Sequence, residues 1–285
     1  MSRREIVRVV RAHRQTEGGG FVVRRPFPTA GLRHADPFLL LDEMGPVDYA
    51  PGEAIGAPDH PHRGFETVTY VLDGEMEHED SAGHRGKLGS GDVQWMTAGR
   101  GIVHSEMPSA AFRERGGRMH GFQIWVNLPK RDKMMSPRYQ EIARDAIPEG
   151  ASADGLAKVK VVAGEALGVR AVIETRTPIS FLHFTLDAGA KVDVPLPREH
   201  AAYAYVFRGD AKVSGKDVRE GELAMLGEGD SIELAAFESA DLLVLSGIPL
   251  NEPVVQYGPF VMNTESEIRQ AIVDYQSGRL GEIAR

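Results

Sequence analysis

Short windows in which apolar and polar residues alternate recur along most of this chain, and they predict strands broken by glycine-centred turns. Residues 4–11 (REIVRVVR) alternate loosely and predict a first strand. Gly18-Gly19-Gly20 marks a turn or flexible loop, and FVVRRPFP after it predicts a strand ended by prolines. Pro37 to Asp42 is a short apolar run that predicts a buried strand, its acidic end (Asp42, Glu43) serving loop and salt-bridge contacts. Gly45 to Pro61, rich in Gly, Pro and Ala, predicts a long loop. From Glu66 onward, strand and turn follow at short intervals. Thr67–Leu72 is β-branched and aromatic, and Asp73-Gly74 is a hairpin turn signal. The next strand, EMEHED, puts Met76, His78 and Asp80 on one face. Further strands over 86–88, 93–97 and 121–127 complete a pattern that predicts an all-β sandwich or barrel.

Between Leu128 and Gly155 the chain turns charged and turn-rich, which predicts an interdomain connection with a short helical turn over Arg138–Ala143. The second half then repeats the first faintly. Tyr70-Val71 with Gly74 is echoed by Tyr205-Val206 with Gly209, and Gly91-Asp92 by Gly229-Asp230, consistent with two similar barrels. Thr264 with Glu267 three residues on forms a capping box. Ile268, Ile272 and Tyr275, with Ala271 beside them, predict a short structural helix stopped at Gly278.

Composition narrows the classes. A chain of 285 residues with 42% hydrophobic and 26% charged residues has the make-up of a soluble globular protein of one large or two medium domains. It has no cysteine, so disulfides and thiolate ligands are excluded, and His and carboxylate remain as metal donors. A reducing cytoplasm suits such a chain, and a cytoplasmic location is the expectation. No apolar run approaches the roughly 20 residues that span a bilayer, and basic residues interrupt every apolar run of MSRREIVRVVRAHRQ, so neither a membrane span nor a signal peptide is expected. A net charge of −8 disfavours non-specific binding to nucleic acid.

The candidate chemistry lies between His60 and Glu106. His60 and His62 sit two apart, as do His104 and Glu106, and in a strand residues two apart share a face. Folded together, the two pairs bring three imidazoles and one carboxylate to one point, a donor set suited to non-heme Fe(II) or a related divalent metal. Glu66 shares parity with His60 and His62, so strand geometry alone also lets it reach that point. Shifting the four positions by the repeat offsets lands on Pro195, Pro197, Leu242 and Val244, none of which binds metal through its side chain. His78, His84 and His120 are candidates for the cavity mouth, and Gln94 and Gln123 for inward-facing polar positions. His13, His34, His183 and His200 read as ordinary histidines, and Trp95, Phe122 and Trp125 as barrel wall.

HPHRGFETVTY, GDVQWMTAGRGIVHSEMP, DPFLLLDE and GPFVMNT resemble the pirin family of the cupin superfamily, over about Asp36 to Tyr275. The resemblance implies two cupin-type (jelly-roll) β-barrel domains. On that reading residues 1–130 form a metal-binding barrel, open to completion by the C-terminal tail. Residues 131–157 form a linker, and 158–285 a metal-free barrel plus helix. It implies one iron held by His60, His62, His104 and Glu106, with Mn, Co, Ni, Cu and Zn left open by the donor types. Glu66 then supports an imidazole or anchors Arg63, and Glu66, Arg63, His78, Gln94 and Gln123 support the ligands or line the substrate site. The activity implied is a dioxygenase opening a flavonol such as quercetin with O₂ and releasing carbon monoxide. The ion would acidify the 3-hydroxyl and Glu106 would take its proton. The same family implies an alternative, an iron- and redox-responsive regulator that binds a transcription regulator or a metabolic enzyme. A third reading is a bicupin scaffold that its ion merely stabilises.

Overall fold

The computed structural model describes residues 2–17 and 19–285. Gly18 of the expected glycine turn lies outside the described residues; Gly20 N–H donates to the Glu17 carbonyl at 3.0 Å. The first half is almost entirely strand: β1 (Ile6–Arg11), β2 (His13–Glu17), β3 (Phe21–Phe27), β4 (Phe38–Tyr49), β5 (Ala57–His62), β6 (Phe65–Asp73), β7 (Met76–Asp80), β8 (Arg85–Leu88), β9 (Val93–Thr97), β10 (Ile102–Pro108), β11 (Gly117–Asn127) and β12 (Arg138–Ile142). One short helix, α1 (Ala110–Arg115), interrupts them. A second helix, α2 (Glu265–Gln276), follows near the C-terminus. No helix among the described residues is long and apolar enough to cross a membrane.

Contacts divide the chain into two compact units, and the cuts do not follow the expected boundaries at 130 and 158. The unit that carries the candidate ligands comprises Arg14–Arg25, Phe38–Arg144 and Leu250–Arg285. The other comprises Met1–His13, Pro26–Pro37 and Asp145–Pro249. The boundaries shift because both chain ends pair with distant strands. β1 lies antiparallel to Glu222–Leu226, and α2 packs Ile268 and Ala271 against Val103, Phe260 and Met262.

Within the ligand-bearing unit one sheet runs β12-β9-β6-β11-β4-β3-β2 and a second runs β5-β10-β7-β8, neither closing on itself. The other unit has a seven-stranded sheet and a four-stranded sheet, the latter pairing Lys191–Pro195, Ser231–Ala235, Ala211–Val213 and Lys216–Val218. Its main core cluster is built of apolar side chains, with Val192, Val194, Ile232, Leu234, Leu242 and Val244 at 7% exposure or less. Gly-centred turns and two-residue periodicity thus produce the two-sheet cupin architecture expected, with its short terminal helix.

Several local expectations are corrected. The expected loop over 45–61 is the end of β4, a turn and strand β5. Pro58 and Pro61 are tolerated there because β5 is an edge strand, paired with β10 only. Residues 138–142 are not a helical turn; their backbone pairs with β9 from Arg138↔Thr97 to Ile142↔Val93. Asp42 and Glu43 are not in a loop but inside β4, where Arg25 and Arg24 neutralise them. The α2 capping box forms as expected, but its buried stripe is Ile268, Ala271 and Asp274, while Tyr275 is 41% exposed. An aspartate takes the inner position because Arg63 meets it there at 2.9 Å.

Candidate metal centre

Strand register builds the site. β5 and β10 pair with His104 opposite His60 and Ile102 opposite His62, so the three imidazoles emerge on one face. Their ring centroids lie 4.4 Å (His60–His104), 4.7 Å (His60–His62) and 4.9 Å (His62–His104) apart. One nitrogen from each falls within 4.8 Å of the others, the spacing of donors around one ion.

Their hydrogen bonding fits the role of ligands. His60 Nδ1 lies 2.7 Å from the Pro58 carbonyl, which can only accept, so this nitrogen carries the proton and Nε2 is left as a lone pair. His104 is fully buried with both ring nitrogens lacking a hydrogen-bond partner, and Nδ1 of His62 lacks one too. Orphaned buried nitrogens cost stability in a structural role, and a cation satisfies them. Burial, reinforced by the neighbouring imidazoles, holds the pKa of His62 and His104 well below the ordinary histidine value. Both rings are therefore neutral near pH 7, the form that ligates metal. Phe65 and Trp125 pack edge-on against His62, with centroids 5.1 and 5.3 Å away, and shield it from water. Trp125, read as wall, is thus also a neighbour of the site.

Glu106 shares the face of His104 but is not among the side chains whose ligand atoms cluster. A register slip in the β5 pairing between His104 and Glu106 sets it opposite Ala57, while the pairing with β7 runs in step and sets it opposite His78. Its Oε1 lies 2.7 Å from the Thr69 hydroxyl, which is also 2.9 Å from Gln123 Oε1. A hydroxyl has one proton, so Thr69 serves one of these acceptors at a time. Gln123 accordingly faces the site, and Gln94 Nε2 donates to Glu141 Oε1 at 3.1 Å on the same sheet row.

Glu66 does not reach the cluster. The chain bends at Gly64 (φ +91°), where an added Cβ would sit 1.9 Å from the Val261 carbonyl, and β6 then enters the other sheet. The parity shared with His60 is therefore broken, and Glu66 accepts from the Thr97 hydroxyl at 2.6 Å. Nor does it anchor Arg63, whose guanidinium binds Asp274 and the Arg100 carbonyl. Burial raises the Asp274 carboxyl, but donors from Gln270, Arg63 and Arg279 outweigh it and hold the pKa at about 2. Lys133 braces the same bend: its buried ammonium donates to the carbonyls of Gly64 and Val261 and to Asn127 Oδ1. No spacing rule pointed to Lys133 or Asp274, because their partners lie far off in the chain. His120 is drawn away to Glu43 (2.9 Å), and His84 sits exposed beside Asp80.

Three imidazoles on one strand pair of a two-sheet unit define a cupin-type metal centre. Residues 20–126 match the Pirin family and residues 181–281 the Pirin C-terminal cupin domain. The chain is 46% identical to a pirin-like protein of Solanum lycopersicum (98% of this chain, 93% of the relative). It is 44% identical to human Pirin, over 98% of this chain and 95% of the relative. Among solved structures, a quercetin 2,3-dioxygenase from Acinetobacter baumannii superposes with a TM-score of 0.94 at 38% identity, covering 99% of this chain and all of that one. This chain belongs to the pirin family.

Proposed function

We propose that the protein is a metal-dependent dioxygenase that opens a flavonol such as quercetin with O₂. One divalent ion, Fe(II), is held by His60, His62, His104 and Glu106. The observation that carries this reading is the cluster of three imidazoles, two of them, His62 and His104, buried with unpartnered nitrogens. The structural likeness to a protein named quercetin 2,3-dioxygenase supports it.

When bound, the ion would supply Lewis acidity toward a substrate hydroxyl and a binding position for O₂. The chain supplies the rest. The carboxylate of Glu106 takes the proton of the flavonol 3-hydroxyl. The Thr69 hydroxyl donates to one oxygen of that carboxylate, Oε1, at 2.7 Å and holds it in place. Phe65 and Trp125 exclude water around His62. The Pro58 carbonyl fixes the His60 tautomer.

The test is aerobic turnover of quercetin by protein loaded anaerobically with Fe(II), followed by loss of flavonol absorbance and release of carbon monoxide. Parent protein should turn over. Glu106→Ala should lose about 10²–10⁴-fold of the rate, as a removed general base does, and His104→Ala should lose both metal and rate. No turnover with one ion bound would end the enzyme reading in favour of metal- and redox-responsive binding of a protein partner.

A further inference from the structure

Another buried imidazole, His78 of β7, sits among Gln94 of β9 and Tyr139 and Glu141 of β12. His78 is 3% exposed, and its Nε2 lies 2.6 Å from Glu141 Oε1. Gln94 Nε2 donates to the same oxygen at 3.1 Å, which marks that oxygen as an acceptor. The His78 proton facing it therefore sits on Nε2, and in the neutral ring Nδ1 is a lone pair. That Nδ1 is buried and has no hydrogen-bond partner. Tyr139 stacks on the ring, with centroids 5.2 Å apart and planes 27° apart, and fixes its plane.

The direction of the bare nitrogen follows from the neighbouring glycine. A Cβ on Gly86 would lie 2.3 Å from His78 Nε2 and 2.9 Å from Cδ2, so this edge of the ring overlies β8. In imidazole Nδ1 lies across the ring from Cδ2. With strand order β5-β10-β7-β8, Nδ1 is thus turned to β10, where Glu106 is the register partner of His78. Gly86 also leaves room for Glu141, whose Oε1 would be 2.6 Å from that Cβ.

We infer that Nδ1 of His78 is a hydrogen-bond acceptor reserved for a hydroxyl of the ligand seated at the histidine cluster, so that the site selects ligands bearing a hydroxyl besides the one at the metal. The inference rests on the flavonol reading for its choice of ligand, not for its geometry. Sites built to receive a hydroxyl discriminate against analogues that lack it, because the acceptor is then left buried and unpaired.

Two measurements test it. In ¹⁵N spectra of histidine-labelled protein, Nδ1 of His78 should be unprotonated and Nε2 protonated; a proton on Nδ1 overturns the inference. Quercetin and 3-hydroxyflavone, which keeps only the 3-hydroxyl, are then titrated anaerobically into Fe(II)-loaded protein. Parent protein should prefer quercetin by about tenfold, the scale of one hydrogen bond. His78→Phe should abolish the preference while leaving Fe(II) affinity unchanged. A preference absent from the parent, or intact in His78→Phe, overturns it. Should His78→Phe not fold, Glu141→Ala serves: freeing the ring should cut the preference about threefold, and an unchanged preference overturns the inference. Parent protein that binds neither flavonol sinks the flavonol reading, while the spectrum separately decides whether His78 keeps its acceptor.

Discussion

The two units solve the same two-sheet problem with opposite interiors. The repeat offset that carries His104 and Glu106 onto Leu242 and Val244 lands in a core of alanine, valine, leucine, isoleucine and phenylalanine. The buried histidines of that unit are satisfied: His183 meets Asp241 at 3.3 Å and His200 meets the Ser246 hydroxyl at 3.1 Å. In the other unit β10 holds His104 with no partner for either nitrogen; its counterpart by sheet order is Ser231–Ala235, with Ile232 and Leu234 in the apolar core, so the sequence offset falls on a different strand but the contrast stands. A buried polar group without a partner is costly, so the contrast locates where the fold has given up stability for chemistry.

This comparison can be broken directly. Leu242→His would bury an imidazole in the apolar core without a partner, and should destabilise the protein by about 3 kcal/mol in urea denaturation. A loss below about 1 kcal/mol would mean that the two interiors differ less than their composition says. The converse change, His104→Leu, removes two orphaned nitrogens at similar volume. It should stabilise the metal-free protein by about 1–2 kcal/mol and abolish the stabilisation that added metal gives the parent. Destabilisation instead would show that His104 has a structural partner.

The smallest effect concerns the brace behind the ligand strand. The Asp274 carboxyl is held at about 2, below its unfolded value near 3.9. As pH falls below 4 the unfolded chain takes up this proton first, so the stability that Asp274 contributes is full above about pH 4 and lost toward pH 2. Asp274→Asn should cost about 1–2 kcal/mol at pH 7. It should also flatten the acid limb of the stability curve, measured by denaturation at pH 2.5, 4 and 7. An unchanged acid limb would remove Asp274 from the account.

Much of the site was legible because strand parity is local: His60 with His62, and His104 with Glu106, declare a shared face at a spacing of two. The same rule failed for Glu66, since Gly64 turns the chain into another sheet and parity does not survive a bend. It failed for β5 because two prolines look like loop until an edge position makes their missing donors harmless. The 138–142 segment carries charges that mimic a solvated turn, yet its pairing with β9 places Tyr139 and Glu141 against His78. Thr69, Asp274 and Lys133 take their meaning from partners 37, 211 and 128 positions away, beyond the reach of any periodic pattern.

The central claim is that the three clustered imidazoles hold one divalent ion. The direct measurement is an anaerobic Fe(II) titration of metal-stripped protein by competition with a chromophoric chelator, run beside His104→Leu. The account predicts one ion per chain in the parent, and affinity at least about a hundredfold weaker in the variant. Equal binding by both proteins, or none by the parent, would contradict it.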